Sequence, residues 1–427
     1  MMLWLLLVQD YAVVVSRETN DAWPEVVEAL RKKHDAHVIV HDGEWREALA
    51  KIMPRYACFV ARPEEAGRDF VIRVHRGTRA LDEDPYPDVI WGILTGYEKA
   101  DALRIAERAE PLEVRRAAAG CGVDLGAFES GVWYSESQKN LMWEKPRGGE
   151  AAQREAPDDT TAALAAALND GAPDFFTTSG HATHRDWQIG YSYKNGQFRC
   201  RDGQLFGLDT AGHRHDIDSP NPKIYSAAGN CLAGLIEDRQ TMALAWMRTG
   251  GAHQLAGYVV STWYGYGGWG VNKLFIGQQV TFAEAFHLNT IALVHQLESR
   301  FPEKARVDFE RWEIERNPNL IDELAKEHGI ADRDCLGLLW DRDTVAFYGD
   351  PAWEARIVGQ REPGWTQTLT EKDGVFTFEV TGGAGERPAM ALLPRRLAEV
   401  KLLEGDAVVT DTFVLTAGKG KVVFTGR

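Results

Sequence analysis

The chain of 427 residues lacks the cysteine pattern of a disulfide framework or a thiolate metal site. Its five cysteines, Cys58, Cys121, Cys200, Cys231 and Cys335, are scattered, none stands in a C-x-x-C spacing, and their odd number leaves a free thiol in any monomer. Cations are also scarce. Lys and Arg number 48 against 63 Asp and Glu, the net charge is −15, and no basic stripe interrupts this balance, which argues against a duplex nucleic acid partner. No stretch approaches the ~20 apolar residues of a membrane span. Residues 1–8 are mostly apolar but carry no basic flank and no small-residue cleavage site, so they read as the stub of a signal peptide or an extension of the first strand. A secreted or periplasmic location is the expectation, with a cytoplasmic one left open. What is present is ordinary globular composition, 44% hydrophobic and 26% charged, in a chain longer than one core usually supports.

Hydrophobic periodicity organises that length. A β-branched run at Tyr11–Ser16 precedes helical spacing of Trp23, Val26, Val27 and Leu30 over residues 22–33, and a strand returns at His37–His41. Residues 44–52 predict a helix, 56–61 a strand, 70–76 continue the alternation, and 89–96 form a buried strand before a helix over 100–109. Residues 1–110 therefore read as a parallel αβ subdomain. Residues 114–119 resume the strand pattern, 147–159 read as a solvated loop, and Asp158 and Asp159 cap a helix over 160–168. Three Gly-containing turns, at residues 195–196, 202–203 and 211–212, predict hairpins projecting from the sheet edge. Residues 233–248 predict a helix, 257–262 a strand and 281–301 a long amphipathic helix, completing a second αβ subdomain over 111–345. From 346 to 427 the texture changes to seven short segments between Gly, Pro and Asp turns, as in an all-β immunoglobulin-like sandwich.

Two apolar runs end in small residues and then one reactive side chain. Phe175–Gly180 delivers His181, and residues 224–230 deliver Cys231, fifty positions later. A strand with glycine at its exit suits a residue held at the carboxyl edge of a parallel sheet. A thiolate nucleophile needs a nearby base and backbone amides for the oxyanion. His181 meets the first need, and the amides of Ala182 and Cys231 meet the second. Taken alone, Cys231 reads as a core thiol, because free cysteine is among the most buried residue types. Joined to His181 in a matching context, it reads as a nucleophile. A zinc site built from His181, His184 and His213 or His215 is a further reading, although the helical spacing of two zinc ligands around a Glu is missing. The aromatic and glycine run over residues 261–270 follows a strand and is expected to supply a substrate pocket through Thr262, Trp263, Tyr264 and Trp269, unless it is packing under a long loop.

At these residues the chain resembles the gingipain-type cysteine peptidases, relatives of caspases and legumains. Members carry Thr-Gly-His-Gly followed by Trp, then an apolar strand ending in the nucleophilic Cys, then a strand with Ser-Thr and a nearby Trp that lines the specificity pocket. Here the counterparts are Thr178, Ser179, Gly180 and His181 with Trp187, then Asn230 and Cys231, then Ser261, Thr262 and Trp263. Residues 84–95 resemble the family's strand before the catalytic subdomain, and residues 348–351 its junction with the immunoglobulin-like domain. Ala182 stands where the family has Gly, and Asn230 where it has a small residue. Glu129 and Glu136 are the candidates for the acidic pocket residue that selects basic side chains in some members.

The resemblance implies a caspase-like parallel-sheet sandwich of two αβ subdomains followed by the immunoglobulin-like domain. The expected activity is that of a cysteine endopeptidase acting on a protein or peptide substrate, with Cys231 as nucleophile and His181 as general acid and base. No metal or cofactor is assigned and the oligomeric state is left open. The alternative is a catalytically silent relative that binds peptide or another extended ligand in the aromatic cleft.

Overall fold

The computed structural model describes residues 10–358, 365–382 and 388–427, so the apolar run at residues 1–8 lies outside the described residues. The chain divides into two units, Met1–Gln360 and Arg361–Arg427. The first opens with strict alternation: β1 (Tyr11–Ser16), α1 (Arg17–Ala22), α2 (Pro24–His34), β2 (His37–His41), α3 (Arg46–Ile52), β3 (Tyr56–Val60), α4 (Arg68–Thr78), β4 (Ile90–Leu94) and α5 (Lys99–Glu107). The strands stand in the order β2-β1-β3-β4, all parallel. β1, β3 and β4 are buried nearly throughout, which is why they read as continuous apolar runs rather than as alternating ones.

Next come β5 (Leu112–Val114), β6 (Arg116–Ala119), β7 (Ser130–Tyr134), β8 (Leu141–Lys145), β9 (Ala152–Glu155), α6 (Thr161–Asn169) and β10 (Phe175–Gly180). β7, β8 and β9 form an antiparallel meander at the sheet edge. The loop expected over 147–159 thus contains a strand. Gln153, Arg154 and Glu155 are exposed there, and a charged, solvated edge strand looks like a loop in sequence. β11 (Asp186–Gln188), β12 (Gln197–Arg201), β13 (Gln204–Leu208) and β14 (Arg214–Ile217) make a separate antiparallel sheet, the expected excursion of hairpins. Asp202 and Gly203 join β12 to β13 with φ of 51° and 74°, the two-residue turn that Asp-Gly favours.

β15 (Lys223–Asn230) returns to the main sheet and is followed by α7 (Met242–Arg248), β16 (Ala252–Tyr258), α8 (Gly268–Gly277), α9 (Phe282–Arg300), α10 (Leu320–Glu327), α11 (Arg333–Arg342), β17 (Val345–Gly349) and β18 (Ala355–Ile357). The helix expected over 233–248 shrinks to α7. Before it the chain turns: the Gly234 amide donates to Tyr258 O at 2.9 Å and the Gln240 amide to the Asp238 carboxylate at 2.6 Å. The strand expected over 257–262 lies earlier, as β16, and α8 begins inside the aromatic and glycine run. α9 matches its expected span, opened by a capping box between Thr281 and Glu284.

The two αβ halves lie side by side in the main sheet. They share one twelve-stranded sheet in the order β2-β1-β3-β4-β17-β16-β15-β10-β6-β7-β8-β9, because β17 runs parallel to β4 and antiparallel to β16. Of residues 348–351, read as a junction, 348 and 349 end β17 and 350 and 351 follow it. Asp350 is buried, accepts from the Tyr11 hydroxyl at 2.8 Å and pairs with Lys33 and His34, each at 2.7 Å. β18 pairs with β5, so the first unit continues beyond residue 346.

The second unit contains β19 (Trp365–Lys372), β20 (Val375–Gly382), β21 (Ala389–Leu392), β22 (Lys401–Glu404), β23 (Val408–Val409), β24 (Phe413–Thr416) and β25 (Gly420–Thr425). They form two antiparallel sheets, β19-β20-β25-β22 and β21-β24-β23. Alternate residues Phe376, Phe378 and Val380 of β20 enter a core with Leu393, Val414 and Phe424, the period of two expected of a strand buried on one face.

Candidate active site

β10 and β15 are adjacent and parallel, and their register sets Gly180 opposite Asn230. His181 and Cys231 are therefore the first residues beyond the same edge of neighbouring strands, which run roughly 4.8 Å apart. A register shift after Thr178 moves the pairing from Ala227 opposite Thr178 to Gly229 opposite Ser179, so β15 carries one extra residue just before the exit. Gly180 has φ of 94°, a conformation that suits glycine and turns the chain out of the sheet. Leu232, directly after Cys231, has φ of 59°, which costs a bulky residue about 1–3 kcal/mol and places backbone strain beside the thiol.

Asn230, the departure from a small residue, is buried and fully engaged. Its Oδ1 accepts from the Thr178 hydroxyl at 2.5 Å and its Nδ2 donates to Gly180 O at 3.0 Å. The side chain clasps the two strand ends together.

Cys231 is half-buried. The Thr262 amide donates to its sulfur at 3.3 Å, and the thiol reaches Thr262 O at 3.4 Å. Burial pushes the thiol pKa up and the Glu315 carboxylate adds to this, while the Thr262 amide pulls it down by favouring the thiolate. His181 is exposed, with its ring 4.9 Å from that of Tyr191. After it the chain doubles back through bonds from the Thr183 amide to Asp186 O and from the Gln188 amide to His181 O, so the Ala182 amide takes no part in closing the turn.

The pocket run divides by residue. Thr262 is buried, Trp263 is 61% exposed, and Tyr264 lies against Gly337 of α11, where a β-carbon would come within 2.4 Å of its ring. Trp269 stands beside β15: a β-carbon at Gly229 would come within 2.9 Å of its indole nitrogen and 2.5 Å of the Ser179 hydroxyl. The structure also separates the two acidic candidates. Glu129 is paired with Arg115 and Arg147. Glu136 has a buried carboxylate oxygen with no hydrogen-bond partner and is pushed up to about 7 by burial, with Ser179 pulling the other way.

The histidines of the zinc reading are divided among different partners. His184 faces Glu237 at 3.4 Å, while His213 and His215 both meet Asp209 at 3.1 Å. Among the described residues no three His, Cys, Asp or Glu side chains gather in a metal-binding group. On the side of His181 where Cys231 takes no part, a cleft of about 470 Å³ is lined by His181, Thr183, Asp186, Lys194 and Asp209, among others.

No protein-family model and no curated protein matches the chain in sequence. Solved structures do match it. The crystal structure of the Arg-specific cysteine proteinase gingipain R is 11% identical, with 100% of this chain and 94% of that one covered and a TM-score of 0.47. The complex of the pro- and mature domains of RgpB from Porphyromonas gingivalis is 12% identical, with 98% and 93% covered and a TM-score of 0.46. A further protease structure is 10% identical, with 96% and 91% covered and a TM-score of 0.42. The chain is similar to gingipain-type cysteine proteinases.

Sequence reasoning missed one buried group at the site. Asp341 near the end of α11 accepts hydrogen bonds from Tyr258, Thr262 and Gly267. Nothing in its local sequence marks it, since a lone Asp near a helix end reads as a solvated residue.

Proposed function

We propose that the protein is a cysteine endopeptidase. The observation that carries this reading is the pairing of Gly180 with Asn230, which puts His181 and Cys231 at one sheet edge on adjacent strands. In this reading the Cys231 sulfur attacks the peptide carbonyl carbon as its proton passes to His181, and the amides of Ala182 and Cys231 receive the oxyanion. The C–N bond then breaks, His181 returns the proton to the leaving nitrogen, and water hydrolyses the thioester with His181 as base. The cleft beside His181 would take the segment that departs, and Trp263 and Trp269 would serve the residue before the scissile bond. Glu136 is the better placed of the two carboxylates to select a basic side chain there, since Glu129 is already neutralised by two arginines.

In the same reading residues 1–110 and 111–345 are the two αβ subdomains, the latter catalytic, and the two antiparallel sheets after residue 360 belong to an immunoglobulin-like domain. The apolar N-terminal run supports a secreted or periplasmic location.

A second reading, a peptide-binding module without turnover, is favoured by one observation: burial raises the Cys231 thiol, against the needs of a nucleophile. Assaying wild type and Cys231→Ala against a fluorogenic peptide library, alongside binding of the same peptides, separates the two. Cleavage lost in a folded variant that still binds supports the peptidase. Binding without cleavage in the wild type supports the module.

A further inference from the structure

We propose that Asp341 is a positioning residue for Cys231, acting through the loop over residues 261–268 to set where the Thr262 amide meets the sulfur. The proposal rests on the reading of Cys231 as nucleophile. Asp341 is fully buried, and among the described residues no cation pairs with it. Taking an unpaired carboxylate out of water is expensive unless donors surround it. Here they come from both ends of one loop and from the strand before it. Oδ1 accepts from the Thr262 hydroxyl at 3.4 Å, while Oδ2 accepts from the Gly267 amide at 3.1 Å and the Tyr258 hydroxyl at 2.9 Å. Tyr258 in turn receives the Gly268 amide at 3.0 Å.

Only a carboxylate offers acceptors to both loop ends at once. An Asn in its place keeps one acceptor and turns an N–H to the other loop end, so the Gly267 amide and the Thr262 hydroxyl can no longer both donate to the same side chain. Neighbouring side chains hold the same loop by other atoms: the Trp340 indole donates to Ser261 O at 2.9 Å, and Asn289 donates to Gly267 O at 3.0 Å. Within the loop Thr262 is the residue that meets Cys231: its amide donates to the sulfur and its carbonyl accepts from the thiol. Burial pushes the Asp341 carboxyl up to about 6, so it is ionised and accepting at neutral pH.

The test reads the thiol itself, with no substrate. Iodoacetamide alkylation of Cys231 is followed against pH by peptide mass spectrometry in wild type, Asp341→Asn, Thr262→Val and Thr262→Ser, with folding checked by near-ultraviolet circular dichroism. The charged and titratable groups bearing on the pair are Glu315 on Cys231, with His181 leaving the adjacent strand exit, and Tyr258, Tyr264 and Tyr266 around Asp341. Loss of a negative charge alone would move the Cys231 midpoint down. Loss of the amide's placement moves it up, because the Thr262 N–H stabilises the thiolate.

The expected result is an upward shift of about half a unit or more in Asp341→Asn, a smaller upward shift in Thr262→Val, and a wild-type midpoint in Thr262→Ser. Should Asp341→Asn fail to fold, the Thr262 pair carries the comparison. An unchanged or lowered midpoint in folded Asp341→Asn and Thr262→Val overturns the proposal. Peptide cleavage by the same wild-type sample is scored separately: its absence removes the peptidase reading and leaves the shift readable.

Discussion

Asn230 donates through Nδ2 to the carbonyl of Gly180 at 3.0 Å, tying together the two strand ends from which Cys231 and His181 depart. Its Oδ1 also accepts from the buried Thr178 hydroxyl. Asn230→Ala therefore removes both bonds, leaves the buried Thr178 hydroxyl with Tyr225 as its partner, and frees the exits. The expected outcome is a loss of about 1–3 kcal/mol in urea unfolding and a larger proportional loss in kcat than in KM, as the spacing of the reactive pair loosens. Wild-type kcat in a destabilised variant would show that the clasp serves the fold alone.

Glu136 gives the site a pH signature. Its carboxyl is raised by burial from an ordinary value of 4.5 to about 7, so it carries charge only above neutrality. Selectivity for Lys or Arg before the scissile bond should strengthen as pH rises through about 7, and Glu136→Gln should abolish both the selectivity and its pH dependence. The stability sign follows from linkage. The folded state holds this proton more tightly than the unfolded chain, so Glu136 lowers stability as pH rises from 4.5 to about 7, and Glu136→Gln should melt higher than wild type at pH 8. Equal melting temperatures at pH 8 would place the group in solvent.

Trp263 is 61% exposed directly after Thr262, whose amide donates to the Cys231 sulfur, an unusual position for a large apolar side chain unless something covers it. Trp263→Ala should lower kcat/KM for peptides by about tenfold or redirect the preferred side chain, while iodoacetamide reactivity of Cys231 stays near the wild-type value. A cleavage profile identical to wild type would assign the indole to another surface.

The sheet edge was legible because buried parallel strands are continuous apolar runs and their exits carry glycine. Phe175–Gly180 appears at its expected bounds, and β15 begins one residue before the expected run over 224–230 and ends with it. Helical and strand patterns failed where tertiary contacts replaced local ones. Residues 233–241 have apolar spacing yet turn, held by bonds to Tyr258 and Asp238, and β9 looks like a loop because its side chains face water. Asp341 was invisible for a different reason. Its three donors lie on β16 and the loop after it, far away in the chain, and no local pattern reports a carboxylate satisfied from such a distance.

The pairing of Cys231 with His181 is tested most directly by covalent labelling. A peptidyl acyloxymethyl ketone, whose reaction requires a bound peptide and a thiolate, is incubated with wild type and His181→Ala, and the modified residue is located by mass spectrometry. The account predicts one peptidyl thioether on Cys231 in the wild type, lost or slowed by at least about a hundredfold in His181→Ala, with the partly exposed Cys200 unmodified. Labelling of Cys231 at the same rate without His181, or labelling confined to Cys200, would contradict it.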